Sequence, residues 1–178
     1  MALSQIQFTY DEPQDRVLWR VSTTEGDEFR LSLTRRFTRR FWGLLVKLLE
    51  ADPPVRQQLD SDTKRTVLGI RHEGFAQQGN FSVPYEEREY RRPLGEEPML
   101  VARAEGKVRE DGSYLLRVHP LQGQGVDIVL DTKLLHLIAR SLGQVVARTD
   151  WDITLELFDP AKEAVPKPGA DTQPGKLN

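Results

Sequence analysis

The spacing of apolar residues changes at Thr34, in the part of the chain where the pattern is clearest. From Phe29 to Leu33 every second residue is apolar, which is the period of a half-buried strand. After Thr34 the apolar residues follow helical spacing and form one stripe made of Phe37, Phe41, Leu44, Leu45 and Leu48. The Thr34 hydroxyl can accept a hydrogen bond from a free amide of the first turn. The pattern therefore predicts a strand followed directly by a helix that Thr34 caps.

A weaker form of the same pattern recurs at an offset of 97 positions, with Leu18 falling on Leu115 and Arg20 on Arg117. Apolar positions match over the whole stretch, even where the residues differ. We interpret this as two copies of one strand, turn, strand, helix unit, at about residues 5–50 and 99–147. The alternative is that two unrelated hairpin-plus-helix units look alike at this level. Since two copies are too few for a solenoid, a single pseudo-symmetric domain is expected.

Alternation and turn residues predict the remaining elements. Further strands are expected at residues 5–10, 16–22, 99–109, 114–118, 126–130 and 153–157, and further helices at about 61–78 and, capped by Asp131, at 132–146. Residues 80–98 combine three prolines with dense mixed charge, and they predict a long connection that holds at most a short strand near 81–85. Residues 159–178 contain four prolines and no apolar cluster, which predicts a disordered tail. The expected fold is α+β, a single domain over residues 1–158 with two antiparallel meander-plus-helix units and a helical, charged middle segment.

Composition excludes several classes of function. The chain has 178 residues, of which 38% are hydrophobic and 29% charged, so it can bury one sizeable core. A net charge of −2 gives no general attraction to nucleic acid or to an anionic membrane. Without cysteine there is no disulfide, no thiolate metal site and no cysteine nucleophile. The beginning of the chain has no leader pattern and no long apolar run follows, so we expect a cytoplasmic protein without a membrane segment.

No catalytic, metal or cofactor site is predicted. His72, His119 and His136 fall in different predicted elements and have no recognised ligand spacing. The pair Gly123 and Gly125 precedes a strand, whereas a phosphate-binding loop opens a helix. The acidic residues around Trp151 and in the middle segment are typical of solvated loops. No motif identifies a family, and the resemblance we find is internal.

Arg35, Arg36, Arg39 and Arg40 are the chain's most distinctive local feature, because they occupy one side of the first helix. Four guanidinium groups on a rigid element can hold carboxylates or phosphates through paired hydrogen bonds. The ordinary interpretation is a solvated face paired with the protein's own Asp and Glu residues. An acidic protein partner and nucleic acid are the open alternatives.

The expected function is a non-enzymatic protein-interaction or self-associating module, with a protein partner or a homo-oligomer. The arginines and Trp42 are its candidate contacts, because the apolar arc of the first helix is wide enough to be covered on more than one side. The first alternative is a nucleic-acid-binding module that uses the arginines. The second is an enzyme whose residues meet only in the fold. Arginines that point together to solvent would favour nucleic acid, and a deep pocket with shifted titratable groups would favour an enzyme.

Overall fold

The architecture is α+β, with two sheets and four helices in the residues that the computed structural model describes, 2–78 and 85–157. The first sheet has the order β1 (Leu3–Asp11), β2 (Arg16–Thr23), β3 (Glu28–Thr34) and β4 (Met99–Leu100); the second has the order β5 (Arg103–Val108), β6 (Tyr114–His119) and β7 (Val126–Leu130). All neighbouring strands are antiparallel except β4, which runs parallel to β3. The helices are α1 (Arg35–Glu50), α2 (Pro53–Arg56), α3 (Ser61–Gln78) and α4 (Thr132–Val146).

The predicted caps are present where β3 leads into α1 and where β7 leads into α4. The Thr34 hydroxyl accepts a hydrogen bond from the amide of Phe37 at 3.2 Å, and the Asp131 carboxylate accepts one from the amide of Leu134 at 2.7 Å. Each cap satisfies an amide that has no partner within its helix, and this fixes where α1 and α4 begin.

The strand pairing that precedes each of these helices has the same register. Val17 faces Leu33 in the first sheet, and Tyr114 faces Leu130 in the second, which are equivalent positions at the offset of 97. The duplication hypothesis requires this equivalence. The superposition of the two units would test that hypothesis, and duplication stays a prediction.

The core joins the two units by crossed packing. α1 packs against β5 of the second sheet, and α4 packs against β1 of the first. At one crossing Gly106 lies under Leu48 so closely that an added Cβ would be 2.7 Å from a Leu48 methyl group. Around the buried Trp19, the Phe8 and Phe41 rings lie 5.3 and 5.7 Å away, centroid to centroid. Neither unit therefore covers its own apolar face completely.

Two predicted strands differ from the structure. The strand expected at 99–109 is divided at Val101 and Ala102, where the chain crosses between sheets: the Val101 amide donates to Ser32 of β3 and the Ala102 amide to His119 of β6. The closing strand expected at 153–157 is wrong, because no strand pairing occurs there within the described residues. The apolar side chains of this segment are half-buried and alternate as expected, but its backbone passes over α4 at Gly143 and not beside a strand.

Residues 85–98 lie across the outer face of the first sheet without forming a helix. The Glu86 amide donates to the Gln5 side chain at 2.7 Å, and Arg92 pairs with Glu28 of β3 at 3.1 Å. Most of the short strand expected near 81–85 lies outside the described residues. The tail expected at 159–178 lies entirely outside them. Within residues 2–78 and 85–157, no helix is long and apolar enough to cross a membrane.

Candidate partner-binding surface

The arginine face, Arg35, Arg36, Arg39 and Arg40, is exposed to solvent on the side of α1 opposite its buried stripe. Among residues 2–78 and 85–157, no carboxylate forms an ion pair with any of the four. The expected pairing with the protein's own acidic residues is therefore wrong for this part of the chain, although the face is solvated as expected. Asp15 lies near enough for the positive charge of Arg35 to contribute to its lowered pKa, after the hydrogen bonds from Trp151 and Tyr10.

The charges on this face are poorly placed for helix stability. They occupy the first turns of α1, where the positive end of the helix dipole disfavours each exposed cation by about 0.3–1 kcal/mol. The first turn contains no acidic residue, and Arg35 with Arg39 and Arg36 with Arg40 form like-charge pairs four residues apart. Within the described residues, the negative charge of Asp15 offsets part of this cost at Arg35.

A cleft of about 890 Å³ borders the arginine face, between α1, α3, α4 and residues 151–157. We call it the Trp42 cleft; its apolar lining includes Trp42, Ile70, Ile153, Leu155 and Leu157. Trp42 is half-buried and follows Arg39 by three residues, so the two side chains are neighbours on the helix surface. Ile70 is 68% exposed and lines the cleft from α3. The predicted contact residue Trp42 thus adjoins the arginine face at Arg39.

The charged side chains that line the cleft are mostly acidic. Asp152 and Glu156 are exposed on the segment that follows α4, and Glu73 of α3 lies 3.6 Å from Arg140 of α4. From α1 the described lining includes Trp42, and the charged lining residues are Glu73, Arg140, Asp152 and Glu156.

The structure brings together two histidines that the sequence placed in separate elements. The Nδ1 atoms of His72 in α3 and His136 in α4 are 3.1 Å apart, and the Phe75 ring packs 5.0 Å from the His136 ring, centroid to centroid. Burial lowers the pKa of both, and the nearby His72 and Arg71 help to lower that of His136 to about 3. At neutral pH the pair is uncharged, with one Nδ1 donating to the other. In the described part of the chain no group of three metal-ligating side chains forms.

Sequence reasoning also missed a buried ion cluster on the first sheet. The Glu28 carboxylate lies 2.6 Å from Arg20, 2.9 Å from Arg30 and 3.1 Å from Arg92. Burial raises its pKa, but the hydrogen bonds from the arginines more than reverse this and lower it to about 2. The signal was partly present, because Arg20, Glu28 and Arg30 share one face of a predicted meander, but Arg92 could be placed only by the fold.

Searches of protein-family models, of curated proteins and of solved structures found no match to this chain.

Proposed function

We propose that this chain is a non-enzymatic protein-interaction module that binds an acidic segment of a partner protein through the arginine face. The observation that carries the proposal is that the four arginines are exposed together on one rigid helix, with no ion pair to a described carboxylate. Guanidinium groups bind carboxylates through two parallel hydrogen bonds, and holding them on a helix reduces the entropy lost on binding.

The charge of the surroundings favours a protein segment over nucleic acid. The whole chain has a net charge of −2, and the exposed carboxylates of Asp152 and Glu156 line the Trp42 cleft. A nucleic acid is negative along its whole length, so a strand that extends beyond the arginines meets these carboxylates. A protein segment can carry carboxylates on one side and neutral or basic residues on the other.

Nucleic-acid binding is the second candidate, and one observation favours it: the arginines point to solvent and not into a ring of carboxylates. Phosphates accept the same paired hydrogen bonds from arginine as carboxylates do. The distinction must therefore come from a direct comparison of the two kinds of ligand.

The test uses a variant with Arg35→Gln, Arg36→Gln, Arg39→Gln and Arg40→Gln, and a labelled polyglutamate peptide beside an oligodeoxythymidine of equal charge. The wild type should bind the peptide more tightly than the oligonucleotide, and the variant should lose peptide binding. The matched control replaces four exposed arginines elsewhere with glutamine: Arg56, Arg65, Arg103 and Arg148. This control should still bind the peptide.

Equal peptide binding by the quadruple variant and its control would contradict the proposal. Submicromolar, salt-sensitive binding to the oligonucleotide, lost in the quadruple variant while its fold and mass are unchanged, would establish the second candidate instead.

A further inference from the structure

We infer, on the basis of the proposed function, that the partner segment carries a bulky apolar side chain next to its carboxylates, and that this side chain enters the Trp42 cleft. The arginine face then holds the acidic residues while the cleft holds the apolar one. The partner is thus a mixed acidic and apolar protein segment, and a uniformly acidic one is a poorer ligand.

The two parts of the surface are close enough for one short segment to contact both. Arg39 and Trp42 belong to the same helix and are separated by a rise of about 4.5 Å along its axis. From Trp42 the cleft continues to Ile70 on α3 and to Leu155 on the segment that crosses α4. An extended chain advances by about 3.3 Å per residue, so residues one or two positions apart can contact Arg39 and Trp42.

The size of the cleft suits side chains that enter from an open surface. Its volume of about 890 Å³ lies within the range of about 300–1,000 Å³ that is usual for binding pockets. Ile70, which is 68% exposed, leaves apolar surface in contact with water, and covering it is favourable.

Charge complementarity selects the occupant. Carboxylates of the segment contact the arginine face on α1, and a neutral or basic residue beyond the apolar one contacts Asp152 and Glu156 in the cleft. A nucleic-acid strand carries only negative charge along its backbone, so it is repelled by Asp152 and Glu156.

The probes are two labelled peptides of equal length. Both begin with a run of glutamates; the first continues with Leu-Trp-Leu and the second with Gly-Ser-Gly. The wild type should bind the first peptide about tenfold more tightly, because burial of one or two apolar side chains supplies a factor of this size.

The matched variants are Ile70→Gln in the cleft and Leu121→Gln elsewhere, which change residues of similar exposure, 68% and 72%. Neither side chain is in the core, so both variants should fold. Ile70→Gln should weaken the first peptide to the level of the second and leave the second unchanged. Leu121→Gln should change neither.

The outcomes separate the inference from the proposed function. Equal binding of both peptides to the wild type, with both lost in the quadruple arginine variant, would overturn the inference alone. Peptide binding that the quadruple variant retains would overturn the proposed function. A chain shortened to end at Leu157 gives a further comparison. If this shortened chain prefers the first peptide and the full chain does not, the protein's own tail fills the cleft and the inference is wrong.

Discussion

Glu28 places a single carboxylate among three arginines, and a fourth contact comes from the Tyr85 hydroxyl, which donates to it at 3.1 Å. Two of these arginines belong to the sheet and one, Arg92, to the irregular segment that covers it. The carboxylate therefore attaches residues 85–98 to the sheet. Its loss would leave three sheltered cations without their common partner.

Glu28→Gln should accordingly lower the free energy of unfolding by about 3–5 kcal/mol, the usual cost of removing one partner from a buried ion pair. Urea denaturation followed by circular dichroism measures the change. Glu87→Gln is the control, because Glu87 also pairs with Arg20 but its side chain is 72% exposed, and a change of about 0–1 kcal/mol is expected. A loss of similar size in both variants would argue against a special role for Glu28.

The same residue gives the protein a defined response to acid. The pKa of Glu28 is about 2 in the folded state and 4.5 in a free carboxyl, so the unfolded chain takes up this proton first. Its stabilising contribution is present above pH 4.5 and is lost as the pH falls towards 2. In urea titrations over this interval, the wild type should lose stability more steeply than Glu28→Gln.

His136 begins to act at a higher pH than Glu28. Its pKa is lowered from 6.5 to about 3, so the unfolded chain is protonated first as the pH falls below 6.5. Stability should therefore decline between pH 6.5 and 4.5, before Glu28 contributes, and His136→Leu should flatten the decline in that interval. An unchanged slope in the variant would show that the histidine pair is not responsible.

Caps were predictable at the residue scale, whereas the histidine pair was not. A cap depends on groups three residues apart, so Thr34 and Asp131 could be recognised in the sequence. His72 and His136 are separated by 64 positions and meet only because α3 packs on α4. The exposure of the arginine face was predictable from helical spacing, but the lack of ion pairs to the described carboxylates was not.

At the scale of elements, the helices were predicted better than the strands. A helix satisfies its own backbone, so the stripes on α1 and α4 were sufficient to identify them. A strand needs a neighbour that the sequence does not name. For this reason the alternation at 153–157 predicted a strand where the chain instead crosses a helix, and the single strand at 99–109 became parts of two sheets.

Two glycines within helices should respond oppositely to alanine. At Gly43 a Cβ would have no neighbour within 4 Å, so Gly43→Ala should stabilise the protein by about 0.5–1 kcal/mol through helix propensity. At Gly143 the same atom would lie 2.9 Å from the carbonyl oxygen of Leu155, so Gly143→Ala should destabilise it. Thermal unfolding of both variants measures the difference. The same sign in both would contradict this account of the segment that crosses α4.

At the scale of the whole molecule, the described core ends with the residues that line the cleft, Ile153, Leu155 and Leu157. The following sequence offers no apolar cluster to offset an ordering cost of about 1–2 kcal/mol per residue. A chain ending at Pro160 should therefore keep the melting temperature of the full chain. A large decrease, measured by calorimetry, would show that the tail contributes to the fold.

The crossed packing of α1 on β5 and of α4 on β1 has a consequence for biosynthesis. A ribosome releases β1 to α1 more than fifty residues before β5, so the newly made amino-terminal half has no surface on which to bury the Leu48 side of α1. Until the second sheet emerges, that apolar surface is open to aggregation or to a chaperone. The nascent chain should therefore reach its native state late, after translation has passed α4.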